Sequence, residues 1–155
     1  MLRPYREDDF PAFADYFASE RSIFTDGPVS KAVAWDLFTA GAGRWVISGH
    51  GAWAVERHSD KICVGLMSLN TAIELPEPEL GWILWDGFEG HGYAFEAASR
   101  GKAFAFETLN WPHLISGVHE KNDRSIALAL RLGATFDPDL KLKHEPETLF
   151  FRHKA

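Results

Sequence analysis

One cysteine, Cys63, is all that the 155 residues contain. No intrachain disulfide can form, and a reducing cytoplasm is the expected compartment. No stretch of about 18 apolar residues is present to cross a membrane, and residues 1–5 lack the apolar core of a signal peptide. Positive charge is in deficit. The 16 Lys and Arg against 22 Asp and Glu give a net charge of −6, which argues against a nucleic-acid backbone or an anionic membrane as partner. The seven His residues form no H-x-x-x-H pair and Cys63 sits inside an apolar run, so no metal site is expected. Gly-Lys-Ser/Thr phosphate loops and G-x-S-x-G nucleophile elbows are both missing. No repeat, low-complexity tract or composition break divides the chain, so residues 1–155 read as one domain.

Aromatics, by contrast, are plentiful. The 6 Trp and 12 Phe are enough for a well-filled core, an aromatic-lined pocket, or both. Apolar spacing then gives the order of elements. Residues 2–5 read as a short strand. Phe10, Phe13, Ala14 and Phe17 recur at helical spacing over residues 9–19, behind a run of acids and with Pro11 in the first turn. Residues 20–29 hold Gly27-Pro28 and read as a loop. Ser30 is placed to cap a second helix with Val33, Ala34, Leu37 and Phe38 on its apolar face. Gly41-Ala42-Gly43 is expected to break or bend it.

Residues 51–56 and 62–70 predict a hairpin across a polar turn. Residues 79–85 are nearly continuously apolar, as in a central strand covered on both faces. A helix from about residue 92 to 109 presents the small residues Ala94, Ala97, Ala98, Gly101, Ala105 and Thr108 on one face, suited to close approach to a sheet. A strand over 114–119, a helix capped by Asn122 or Asp123, and strands over 134–136 and 148–153 complete the chain. The order predicts an α/β fold. Its mixed sheet opens with an antiparallel hairpin, and a crossover helix joins two parallel strands.

The chain is organised around residues 82–98, W-I-L-W-D-G-F-E-G-H-G-Y-A-F-E-A-A. A strand ends in Asp86-Gly87, Gly90 and Gly92 follow at once, and helical spacing begins. Such a strand–glycine–helix unit aims several backbone N–H groups at one spot, at the positive end of a helix dipole, ready for a phosphate or pyrophosphate.

Three stretches in order, E-L-G-W-I-L-W, E-G-H-G-Y-A-F-E-A-A and V-H-E-K-N-D-R-S-I-A-L-A-L-R-L-G-A-T-F, resemble the GNAT acyl-CoA-dependent N-acetyltransferases. Within that family they are most similar to the ribosomal-protein N-terminal acetyltransferases. The resemblance implies a mostly antiparallel mixed sheet flanked by helices, with central strands splayed to admit coenzyme A. It implies transfer of acetyl from acetyl-CoA to a primary amine by direct attack. The amine could belong to a small molecule or a protein N-terminus, and exposed aromatics or a terminal strand could build a homodimer. A domain of this fold that binds acyl-CoA or a partner protein without turnover is the alternative.

Site residues follow from the same resemblance. The coenzyme would lie along Leu84, Trp85 and Asp86 and on the loop Glu89, Gly90, His91, Gly92, Tyr93 and Ala94, with Asn122 and Ser125 reached from the next strand–helix unit. An N–H near residues 84–86 would polarise the thioester. Glu79 opens the central strand and corresponds to the family's base. A carboxylate at the mouth of an apolar cleft can be tuned by desolvation to take a proton from an ammonium, although a strand-start acid can equally be an exposed one. Glu74, Glu77 and Glu120 are weaker candidates. His119 is an acid–base candidate or simply a polar strand end. Phe24, Trp35 and Trp45 fall in the segment that covers the acceptor in relatives and are candidates to line its pocket, although the tryptophans of this chain also read as core. The pattern departs from the family at four places, one of them Ala134-Thr135-Phe136 after Gly133, where a Phe would follow at once. Glu89 stands where Gln or Arg is usual, His91 where Lys or Arg is, and Ala129 where a tyrosine general acid is common.

Overall fold

The computed structural model describes all residues from Met1 to Ala155. One seven-stranded sheet runs through the chain in the order β1-β2-β3-β4-β5-β7-β6. Strands β1 (Leu2–Arg3), β2 (Ala52–Glu56), β3 (Cys63–Asn70) and β4 (Glu79–Leu84) form one antiparallel half. Strands β5 (Ile115–His119), β6 (Thr135–Asp137) and β7 (Thr148–Arg152) form the other. The halves meet at a single parallel contact, Glu79 opposite Ile115. Helices α1 (Phe10–Ala18), α2 (Lys31–Ser48), α3 (Tyr93–Ala103) and α4 (Asp123–Arg131) flank the sheet.

The small-residue face of α3 does what its spacing predicts. Ala97, Ala98 and Gly101 are buried in a cluster with Met67, Leu80 and Leu114. A Cβ at Gly101 would stand 2.5 Å from Met67 Sδ, so the backbone of the crossover helix packs directly on the Met67 and Leu80 side chains of the sheet. The last turn, Phe104–Thr108, widens to a π-helix before Pro112. On the opposite face α1 and α2 bury Phe13, Phe17, Ala34 and Phe38 against Leu66 and Trp85.

Two expectations need correction. Helix α2 is unbroken through Gly41-Ala42-Gly43 and ends at Gly49, in the left-handed conformation (φ 70°). Helical glycines cost about 1 kcal/mol each, but the helix is held against the start of β2, where a Cβ on Gly51 would stand 2.9 Å from the Gly41 carbonyl oxygen and 3.0 Å from Trp45 Cδ1. Trp45 Nε1 donates to the Ala52 carbonyl at 2.9 Å. Tertiary packing overrides the propensity. Second, β4 is not covered along its whole length. Leu80 is fully buried, but Gly81 to Leu84 are half-buried, because β5 turns away after the first residue pair.

Candidate active site

The divergence of β4 and β5 leaves a wedge-shaped gap, and backbone alternation decides which groups line it. Trp85 N–H donates to the Val64 carbonyl at 2.9 Å. With Gly65 opposite Leu84 and Leu66 opposite Ile83, residues 81, 83 and 85 spend their hydrogen bonds on β3. The N–H groups of Trp82 and Leu84 therefore point into the gap. On the far side residues 114, 116, 118 and 120 pair with β7, as His153 N–H to Leu114 O and Glu120 N–H to Glu147 O show, so Gly117 and His119 face the gap.

Side chains brace the narrow end. Ser116 Oγ donates to Leu80 O at 2.6 Å and lies 2.9 Å from His153 Nε2. Gly117 N–H donates to Glu79 Oε1 at 3.1 Å. This places the Glu79 carboxylate where the strands part, and a Cβ at Gly117 would stand 2.9 Å from that oxygen. Burial raises the Glu79 pKa above the ordinary carboxylate value. The Gly117 N–H and Asn70 pull the other way, and the negative charge of Glu145 and Asp26 adds to the rise.

The gap opens into a cleft of about 1360 Å³. Its wide end meets two helix N-termini. Helix α3 starts from Gly92 (φ 84°) with no side-chain cap, so its first N–H groups are free. Gly87 and Gly90 also have φ of 80°. Helix α4 starts from Asn122, whose Oδ1 accepts from Ser125 N–H at 3.2 Å.

Of the residues named from sequence, Phe24, Glu79, Leu84, Glu89, Gly90, Gly92, Ala94, His119, Asn122 and Ser125 all line this one cleft. Others do not. Trp85 is 6 % exposed in the α1–α2 cluster, its N–H already given to β3. Asp86 points to solvent and holds Arg21. The His91 and Tyr93 rings pack on each other outside the cleft, centroids 5.7 Å apart. Trp35 packs on Phe10 and Phe38, and Trp45 on Trp53 and Phe104, both away from the cleft. Their helix is tied to β2, so these tryptophans serve the packing of α2. Ala129 is completely buried against Val118 and Phe151, and its neighbour Leu128 faces the cleft.

His119 is constrained on both sides. Its Nδ1 accepts from Lys121 N–H at 3.1 Å, its Nε2 lies 3.8 Å from Glu147, and Phe24 stands over the ring at 4.9 Å. In the neutral ring the proton therefore sits on Nε2.

Several cleft residues were not foreseen. Lys121, just before α4, and Arg124, Leu128 and Arg131 along its length form one stripe facing the cleft. Their spacing of three and four was there to be read. Arg131 lies over the Phe95 ring at 4.2 Å and so links α4 to α3. Arg21 had no motif to mark it. It contacts Glu89, donates to Asp86 Oδ1 at 3.0 Å and to Leu84 O at 3.2 Å. Arg124 lies 3.8 Å from Glu89. The acid that looked misplaced in the loop is thus held between two guanidinium groups.

A strand wedge with unpaired N–H groups thus opens towards two helix N-termini, that of α3 without a side-chain cap. Residues 1–135 match the family model described as an acetyltransferase (GNAT) domain. The chain belongs to the GNAT acetyltransferases. An acetyltransferase from Agrobacterium tumefaciens str. C58 is 41 % identical, with a TM-score of 0.93 over 99 % of this chain and 90 % of that one. More distant structures share the GNAT fold. The ribosomal-protein-S5-alanine acetyltransferase from Vibrio fischeri has 14 % identity, a TM-score of 0.73, and coverage of 98 % and 91 %. The spermidine N-acetyltransferase from Vibrio cholerae, in complex with CoA and spermine, has 17 % identity, a TM-score of 0.75, and coverage of 98 % and 92 %.

Proposed function

We propose that this GNAT acetyltransferase moves acetyl from acetyl-CoA to a primary amine by direct attack. The observation that carries the reading is the β4–β5 gap, with the half-buried Glu79 at its apex and the free N–H groups of Trp82 and Leu84 along one wall. The pyrophosphate would take the open first turn of α3, beside the start of α4, with Lys121, Arg124 and, further along α4, Arg131 supplying the fixed charge that His91 does not. The pantetheine arm would run in the gap, where backbone amides need partners.

An ammonium cannot attack a thioester, so one proton must leave first. Glu79, with its raised pKa, accepts it directly or through a water. The amine nitrogen then bonds to the thioester carbon. The developing oxyanion is met by an N–H from Trp82 or Leu84. The C–S bond breaks, coenzyme A leaves as thiolate, and the second amine proton goes to solvent. Ala129 brings no hydroxyl, and a thiolate is a good enough leaving group without one. The Nδ1 of His119 is occupied by Lys121, which favours Glu79 as the base. Asp26, Glu145 and Glu147 also border the cleft, which suits a cationic acceptor. A reducing cytoplasm fits the one unpaired cysteine.

Thermal shift with acetyl-CoA tests the binding half. Ligand at 100 times its dissociation constant adds about 2.7 kcal/mol to stability. No shift at millimolar acetyl-CoA would remove the reading.

A further inference from the structure

The short turn Glu20–Phe24 lies across the open end of the gap and fastens to both strands that diverge there. Arg21 reaches the β4 side, where it holds the Leu84 carbonyl, Asp86 and Glu89. Phe24 reaches the β5 side and stands over His119. The turn is stiff. Tyr16 hydroxyl donates to the Arg21 carbonyl at 3.2 Å, and Arg21 N–H donates to Ser19 Oγ at 3.3 Å. Gly27 N–H donates to Ser22 O at 3.0 Å and Val29 N–H to Phe17 O at 2.8 Å. Ser22 is fully buried, and a Cβ on Gly27 would fall 1.9 Å from its hydroxyl. A force on the Arg21 guanidinium therefore moves the turn as a unit, with Ile23, Phe24 and Asp26 on it. Those three residues border the cleft, Phe24 against His119 and Asp26 close enough to Glu79 to raise its pKa.

We propose that Arg21 is a positioning residue that joins this amine-side turn to the coenzyme loop, so that filling the gap with coenzyme orders the amine pocket. The inference rests on the coenzyme reading above. Arg21 holds three acceptors on residues 84–89, all within the segment that leads into Gly90. One of them, the Leu84 carbonyl, faces the gap itself. Any ligand that fixes this segment fixes the guanidinium, and through it the turn. Because Glu89 also faces Arg124, an anion that draws Arg124 away leaves Glu89 to Arg21 alone and tightens the link.

The competing explanation is that Arg21 only neutralises Glu89. Hydrogen exchange with and without coenzyme A separates the two, using the wild type, Arg21→Ala, Arg21→Lys, Glu89→Gln and the double variant Arg21→Ala/Glu89→Gln. In the wild type, coenzyme A should slow exchange over residues 86–94 and also over 20–28. Arg21→Ala should keep the first effect and lose about fivefold or more of the second, the usual lower size of a coupling between sites. Arg21→Lys should restore part of it. The double variant should stay uncoupled, because the arm is gone whatever the charge. Full protection of 20–28 in Arg21→Ala, or its return in the double variant, overturns the proposal and leaves the coenzyme reading standing. No protection of 86–94 in the wild type overturns both. Exchange in β3, remote from the turn, reports that each variant is folded.

Discussion

At the scale of the residue, Glu79 carries the chemistry and a stability cost together. Burial pushes its pKa up despite the Gly117 N–H. Glu79→Gln keeps that hydrogen bond and removes the charge. Turnover should fall by about 10²-fold or more, the usual scale for a lost general base, while calorimetry finds coenzyme affinity unchanged. In the wild type, activity should drop as pH falls through a value above the ordinary 4.5 of Glu. The same shift acts on folding with its own sign. A carboxyl that holds its proton more tightly when folded gives full stability below its unfolded pKa, and that stability is lost as pH rises through the folded pKa. Glu79→Gln should therefore melt higher than wild type at pH 7, and the difference should close in acid. An unchanged melting temperature at pH 7 would count against a buried, charged Glu79.

His153 runs the opposite way. Burial lowers its pKa from 6.5 to about 4, with Lys102 adding to the effect. The unfolded chain binds the proton first, so stability should fall as pH drops from 6.5 towards 4. His153→Phe should flatten that part of the curve, as followed by chemical denaturation.

At the scale of the element, the site depends on where backbones can approach. Gly117 has no Cβ, and this is why the Glu79 carboxylate can rest on the β5 backbone. Gly117→Ala should displace it and lower turnover at saturating coenzyme, with coenzyme binding little changed in calorimetry. Gly92 opens α3 with φ of 84°. A β-branched residue there is strained by about 1–3 kcal/mol, so Gly92→Val should weaken coenzyme binding about tenfold or more; unaltered affinity would rule out the loop. Elements with strong periodicity were legible in the sequence: the small face of α3, the hairpin β2–β3, and the Asn122 cap. Helix α2 was not legible as one element, because its glycines argue for a break, and only the approach of Gly51 to Gly41 and Trp45 and the Trp45–Ala52 hydrogen bond explain why none occurs.

At the scale of the whole molecule, two ion-pair systems tie distant segments together. Arg3 is buried between Asp9 and Glu56, at 2.7 and 2.5 Å, and fastens β1 to β2 and to the start of α1. Burial works to raise the Asp9 pKa, but the Arg3 hydrogen bonds, the Arg6 N–H and the Arg3 charge together outweigh it and hold the carboxyl below its ordinary value. Arg21 does the corresponding work across the cleft. Neither was visible in sequence, since Glu56 and Asp86 lie 53 and 65 positions from Arg3 and Arg21 and no local pattern records such a distance. The gap itself was legible only through family resemblance. Nothing in the alternation of residues 79–85 says that β5 will leave after one pair. Trp35 and Trp45 were misplaced for a related reason: position in the chain suggested a pocket, while helix phase turned them towards packing. The cleft is polarised as a whole, with cations towards α4 and carboxylates towards β7. Coenzyme affinity should fall as salt rises, and Arg124→Ala should reduce that dependence.

The most direct test is transfer itself. Acetyl-CoA is mixed with a panel of primary amines, including polyamines and peptides with free N-termini, while free thiol and the mass of the amine product are followed. Thiol release should keep step with acetylation of at least one amine, and Glu79→Gln should lose both. Acetyl-CoA that binds yet never acetylates any amine, with thiol release no faster than in buffer, would contradict it and leave a binding domain without turnover.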